Sequence, residues 1–282
     1  MKLIKNGIIY ILLGALCIAV LYPVVLIPIL SIQDSDELIK TTSPLLVSSD
    51  KFVQIDYLPQ YPTLEYFKRL LLFTPEFYTV FRNSILTVGA ILLFQILVAV
   101  PSAWAFAQFR FKGKRLLFNL YVIFMLMPFQ VTMLSQYLVL DNLSLMNTRW
   151  AIILPAIFST FPVFLIYRGF SDIPKDVLDS ARIDGANEWN VLRYIGLPLG
   201  KSGVLACIVL CFLDYWNMVE QPLAFIKDKT LFPLSLYLPM LDLSNADMIL
   251  VASVITLIPA VFVFVIGQDH LEQGIIAAAL KE

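Results

Sequence analysis

Six runs of the chain are apolar and long enough to cross a bilayer as helices: residues 7–32, 83–107, 116–137, 150–167, 201–221 and 248–267. A helical span needs about 20 residues. Lipid offers no partner to a backbone amide, so a helix that satisfies its own is the natural way across. The expected fold class is therefore all-α, a polytopic membrane bundle of six transmembrane helices. Composition agrees: 59% of residues are hydrophobic and 15% charged, against about half and about a quarter in soluble domains. The mean hydropathy is +0.81. A net charge of −1 gives no electrostatic footprint for nucleic acid.

Lys2 and Lys5 precede the first run. That run exceeds the ~7–15 apolar residues of a signal-peptide core and lacks a small-residue cleavage site, so it reads as a retained anchor helix. Pro101, Pro128, Pro155, Pro162 and Pro259 fall within spans and predict kinks that neighbouring groups satisfy. Cys17, Cys207 and Cys211 lie in apolar runs. The last two, four residues apart, can share a helix face as small packing residues.

Orientation follows from Lys and Arg in the short loops. Arg110, Lys112, Lys114 and Arg115 follow the second span, and Arg168, Lys175, Arg182, Arg193 and Lys201 follow the fourth. With Lys2 and Lys5 they mark one face as cytoplasmic, which places both termini there. The chain then divides into a first helix (1–32), an extracytoplasmic loop (33–82), a transmembrane core of five helices (83–268) and a cytoplasmic tail (269–282). The core contains a polar cytoplasmic loop at 169–200. The first half of the external loop is acidic, with Asp34, Asp36, Glu37, Asp50 and Asp56. Pro62-Thr63-Leu64-Glu65 predicts a short amphipathic helix capped by Thr63, with Leu64, Phe67, Leu70 and Leu71 on its apolar face.

The loop at 169–200 carries the most specific pattern. Ser171 or Asp172 is the expected cap of a helix whose first turn holds Pro174. Val177, Leu178, Ala181 and Arg182 share a face at helical spacing. Gly185 can take the left-handed conformation that ends a helix. Asn187 can cap a second helix bearing Val191, Leu192 and Ile195, with Trp189 nearby, which Pro198 stops before the fifth span. The expectation is two short helices meeting at a glycine elbow.

The segment Asp179-Ser180-Ala181, three residues, Gly185, nine residues, Ile195-x-Leu197-Pro198 resembles the EAA loop of ATP-binding-cassette importer permeases. Asp and Ser replace Glu and Ala of that pattern; the four later positions match in identity and spacing. The likeness to the maltose-type carbohydrate permeases extends to Pro62-Thr63-Leu64-Glu65, to Trp216-Asn217 with Gln221-Pro222-Leu223, and to the tail at 268–281, where Ala278 departs from a common glycine. The resemblance implies a type I importer permease in a bacterial plasma (inner) membrane. It implies that Asp179, Ser180, Ala181, Arg182, Asp184, Gly185 and Ala186 form a coupling helix docked on a separate ATPase, with Ile195, Leu197 and Pro198 as its structural frame. Gln273, Gly274 and Lys281 would touch the same ATPase from the tail. Implied partners are a second homologous permease, an ATPase dimer that binds ATP and Mg, an extracytoplasmic solute-binding protein, membrane lipid and a carbohydrate, an oligosaccharide above all. Closure of the ATPase dimer would move the coupling helix and switch the spans between two access states.

Enzymatic signals fail. Gly200-Lys201-Ser202 ends like a phosphate-binding loop, but Ile195 stands where that loop needs glycine. The only histidine, His270, can build neither a triad nor a metal cluster with spaced partners. This chain is thus expected to be non-catalytic, without a cofactor or metal of its own. Ionisable residues within spans are rare and expensive. Asp214, beside Tyr215, Trp216 and Asn217, is the candidate substrate pathway, set against a role bonding a neighbouring helix. Gln95 and Gln130 read as helix–helix glue. The competing reading is a self-contained secondary transporter or channel for a small polar solute. That class calls for charged relays or broken helices in related halves.

Overall fold

The computed structural model describes residues 2–34, 36–40, 59–240 and 245–279. Among them the regular structure is helical throughout. In chain order the main helices are α1 (Lys2–Ser31), α2 (Glu65–Phe73), α3 (Pro75–Gln108), α4 (Lys114–Met125), α5 (Phe129–Asn142), α6 (Trp150–Ile157), α7 (Thr160–Ser171), α8 (Lys175–Ile183), α9 (Glu188–Leu199), α10 (Lys201–Trp216), α11 (Glu220–Phe225) and α12 (Ala246–Ala279). Four spans pass by length and apolarity, at Ile9–Ser31, Pro75–Gln108, Trp150–Ser171 and Ala246–Leu271. The pairs α4–α5 and α9–α10 are bent by 102° and 72°, and counting each as one broken span gives six.

The differences from expectation have local causes. The third run breaks at Leu126–Pro128, where proline supplies no amide to the preceding turn. The fourth breaks at Phe158–Ser159, one turn after Pro155. The fifth ends at Trp216, and residues 217–219 separate it from α11. The last run does not stop near 267: α12 continues through Ala279 and absorbs most of the expected tail. The second span starts at Pro75, eight residues inside the expected external loop. Within that loop, Thr63 Oγ1 accepts from the Glu65 amide at 3.2 Å, one position earlier than a helix cap on α2 would require. Leu70 is the buried residue of that helix, whereas Leu64 and Leu71 are exposed. Asp50 and Asp56 lie outside the described residues.

The chain forms two compact units, residues 1–78 with 237–258, and residues 79–236 with 259–282. In the first, α1 is exposed over residues 9–25, and Glu37 Oε1 accepts from the amides of Gln60 and Tyr61. The second holds the packed helices. Gly169 of α7 and Gly203 of α10 meet backbone to backbone, where an added Cβ would lie 3.0–3.1 Å from the opposing Cα. Close helix approach through small residues lets dispersion act where lipid cancels any hydrophobic drive. Gln95 of α3 is fully buried, and its Nε2 donates to the Ala156 carbonyl at 2.8 Å and to the Tyr215 hydroxyl at 3.1 Å. It ties α3 to α6 and α10, as its glue reading predicts. Cys207 and Cys211 are buried with sulfurs 3.9 Å apart on one face of α10.

Candidate functional site

The polar loop folds as its sequence predicts at the elbow and differently at its ends. α8 begins after Pro174 with no side-chain cap; Ser171 instead closes α7, followed by Asp172. At the other end the Gly185 amide donates to the Arg182 carbonyl at 3.1 Å, and the Ala186 amide to the Ala181 carbonyl at 3.0 Å. Gly185 has φ +84°. This paired pattern around a left-handed residue is a Schellman turn, which satisfies the orphan carbonyls of α8. Asn187 Oδ1 then accepts from the Asn190 amide at 2.8 Å and starts α9 as a true cap.

Arg182 spans the elbow. Its Nε donates to Glu188 Oε1 at 2.8 Å and its Nη1 to Asp179 Oδ1 at 2.9 Å. The Glu188 hydrogen bond, then that to Asp179, raises the guanidinium pKa above its usual value despite the opposing effect of partial burial. Arg182 thus stays charged throughout the physiological range. Leu178 is fully buried and anchors α8, whereas Val177, expected beside it, is exposed. Sequence periodicity missed Ile183, which is 85% exposed at the tip of α8 and forms an apolar knob among Asp179, Ser180 and Asp184.

Past Val191 the backbone opens into a π-turn at Leu192–Gly196, with the Leu197 amide bonded to the Leu192 carbonyl. Pro198 does not stop the helix. It sits inside α9, which ends at Leu199. Its missing amide and its ring disrupt the α pattern just upstream, and the wider turn accommodates them. Gly196 lies under Trp104 of α3, where a Cβ would come within 2.5 Å of the ring. Gly200 lies equally close to Phe170 of α7. Trp104 and Phe170 meet edge to face at 5.2 Å. Two glycines and two aromatic rings therefore fasten the bent arm to α3 and α7. Ile195 and Leu197 are half-buried beside this lock.

The candidate pathway residues part company. Tyr215 and Trp216 are buried in the packed unit, and Trp216 stacks on Phe212 with ring centroids 5.4 Å apart. Asp214 and Asn217 are exposed on the surface of the chain. Gln130 donates to Glu220 Oε1 at 2.7 Å, a pairing between α5 and α11. Glu220 falls within the run at 201–221, so its charge was a signal in the sequence; in the structure it follows α10 and starts α11. Of the tail residues, Gln273 and Gly274 fall on α12, and Lys281 lies outside the described residues.

Broken and kinked spans joined by an elbowed polar arm define an integral-membrane transport subunit. Residues 95–277 match the binding-protein-dependent transport system inner membrane component family, and the chain belongs to that family. It is 31% identical over 79% of its length to the arabinooligosaccharides transport system permease protein AraQ of Halalkalibacterium halodurans, covering 81% of that protein. It is 29% identical to the sn-glycerol-3-phosphate transport system permease protein UgpE of Brucella abortus, over 69% of this chain and 71% of that one. A crystal structure of a bacterial ABC transporter involved in import of the acidic polysaccharide alginate contains a chain of the same fold. The TM-score is 0.79 at 21% identity, covering 94% of this chain and 96% of that one.

Proposed function

We propose that this chain is the transmembrane permease subunit of an ATP-driven, binding-protein-dependent importer for carbohydrate, an oligosaccharide. It forms half of the translocation pathway and couples that half to a separate ATPase. The observation that carries this reading is the arm at 175–199, a Schellman elbow clamped by Arg182 and pinned at Gly196 and Gly200. Such an arm moves as one body, so force applied at α8 reaches α3 and α7 without being lost in a soft loop. Asp179, Ser180, Ala181, Arg182, Asp184, Gly185 and Ala186 are the ATPase contact, with Ile183 as its apolar knob. The excess of Lys and Arg in the loops supports a cytoplasmic position for this arm and both termini.

The partners are a second homologous permease, an ATPase dimer holding ATP and Mg, and an extracytoplasmic solute-binding protein. The carbohydrate assignment draws on the arabinooligosaccharide relative, and the absence of Lys and Arg from the span interiors favours a neutral solute over a phosphate ester. Reconstitution tests this directly. The chain, purified with its partner permease and ATPase in proteoliposomes and supplied with its binding protein, takes up a neutral oligosaccharide only with ATP inside. Uptake by this chain alone, without any ATPase, overturns the proposal in favour of a self-contained transporter.

A further inference from the structure

Between α5 and α11 lies a crevice of about 640 Å³ lined by Phe129, Gln130, Met133, Tyr137, Glu220 and Leu223. Its volume falls within the ~300–1,000 Å³ usual for ligand sites, and its mix of aromatic surface with few polar groups is the usual lining of one. Phe129 packs edge to face on buried Phe225 with centroids 5.9 Å apart, so the floor is rigid. The Gln130 amide holds Glu220 through Oε1 at 2.7 Å. Glu220 Oε2, Gln130 Oε1 and the Tyr137 hydroxyl engage no other group among the described residues.

We propose that this crevice is a subsite for a neutral oligosaccharide on the translocation pathway, an assignment that rests on the carbohydrate reading above. Sugar hydroxyls donate to carboxylate and amide oxygens, of which the crevice offers two, while a tyrosine hydroxyl both donates and accepts. The apolar C–H faces of a sugar ring match the aromatic and methionine surfaces. No Lys or Arg lines the crevice, so a phosphate or uronate would face Glu220 uncompensated. A carboxylate on the outer surface of a span-forming unit is expensive against lipid and belongs against water or solute. Asp214 on α10 and Asn217 just after it are also exposed.

The test uses the assembled transporter in nanodiscs without its binding protein. Saturation-transfer difference NMR is recorded with arabinotriose, maltotriose and sn-glycerol 3-phosphate. At least one neutral trisaccharide receives saturation from the wild type, and the phosphate ester receives none. Glu220→Leu and Tyr137→Leu each lower affinity for that sugar about tenfold or more, while Leu143→Ala outside the crevice does not. Equal signals in all variants overturn the subsite, as does loss of the second permease from the Glu220→Leu complex, which would make the crevice a subunit contact. A wild type silent toward both sugars also overturns it. Uptake in proteoliposomes separates that result from failure of the parent reading: sugar transport by a transporter with a silent crevice removes the subsite alone.

Discussion

Arg182 and Glu188 close the elbow from opposite sides of Gly185, with Nε to Oε1 at 2.8 Å and Nη2 to Oε2 at 3.4 Å. The turn between them is set by backbone conformation, and the ion pair holds the angle that the turn permits. Backbone and side chain thus make separable contributions to one lever, and they can be tested separately.

Gly185 stands at φ +84° with open space where a Cβ would go, so substitution there strains the backbone without a steric clash. Gly185→Val should cost about 1–2 kcal/mol locally, through the left-handed penalty for a side chain at this site. Asn, which tolerates that region, should be mild. The expected outcome is an inserted transporter whose Val variant hydrolyses ATP without moving solute, while Gly185→Asn retains coupling. The ratio of solute transported to ATP hydrolysed in proteoliposomes is the measurement.

The Arg182–Glu188 pair is partly exposed, with side chains 31% and 42% accessible. Its coupling energy is therefore small, about 0.2–1 kcal/mol in a double-mutant cycle. Arg182→Ala and Glu188→Ala should leave the thermal midpoint almost unchanged yet reduce the transport-to-hydrolysis ratio. The charge-swapped pair Arg182→Glu with Glu188→Arg should restore part of it.

Gly196→Ala drives a methyl into Trp104 at 2.5 Å. Overpacking of this kind costs about 1–3 kcal/mol. Thermal unfolding in detergent should show a lowered midpoint, and Trp104→Leu in the same chain should recover it by making room. Equal destabilisation in the single and double variants would remove the ring contact as the cause.

Gln95→Leu removes a buried tie among α3, α6 and α10. Hydrogen bonds between membrane helices are worth about 0.6 kcal/mol on average. Gln95→Leu and Tyr215→Phe should each destabilise modestly, and the double variant should lose less than their sum.

Asp228 accepts from the backbone amide of Thr230 at 2.9 Å and from its hydroxyl at 2.8 Å. These bonds, the amide first, hold its carboxyl below the ordinary range. A depressed carboxylate contributes stability above its unfolded value, near ~3.9, and loses it as pH falls through the lower folded value. The protection factor of the Thr230 amide, its exchange rate relative to an unstructured peptide at the same pH, should hold from about pH 5 to 8 and fall only on acidification below the ordinary carboxylate range.

The chain's own residues determined the spans and the elbow. Apolar length forces a helix across lipid, and Gly185, Asn187 and the residues around them contain every partner needed to build the turn, within six positions of one another. The paired Schellman bonds and the Asn187 cap were accordingly legible. What lay beyond sequence was any decision made between distant elements. Only packing placed Trp104 over Gly196, turned Tyr215 inward and Asp214 outward, and brought Glu220 to Gln130 from 90 residues away. Neighbouring residues on one helix point in different directions, and which direction is interior depends on helices that local sequence does not encode.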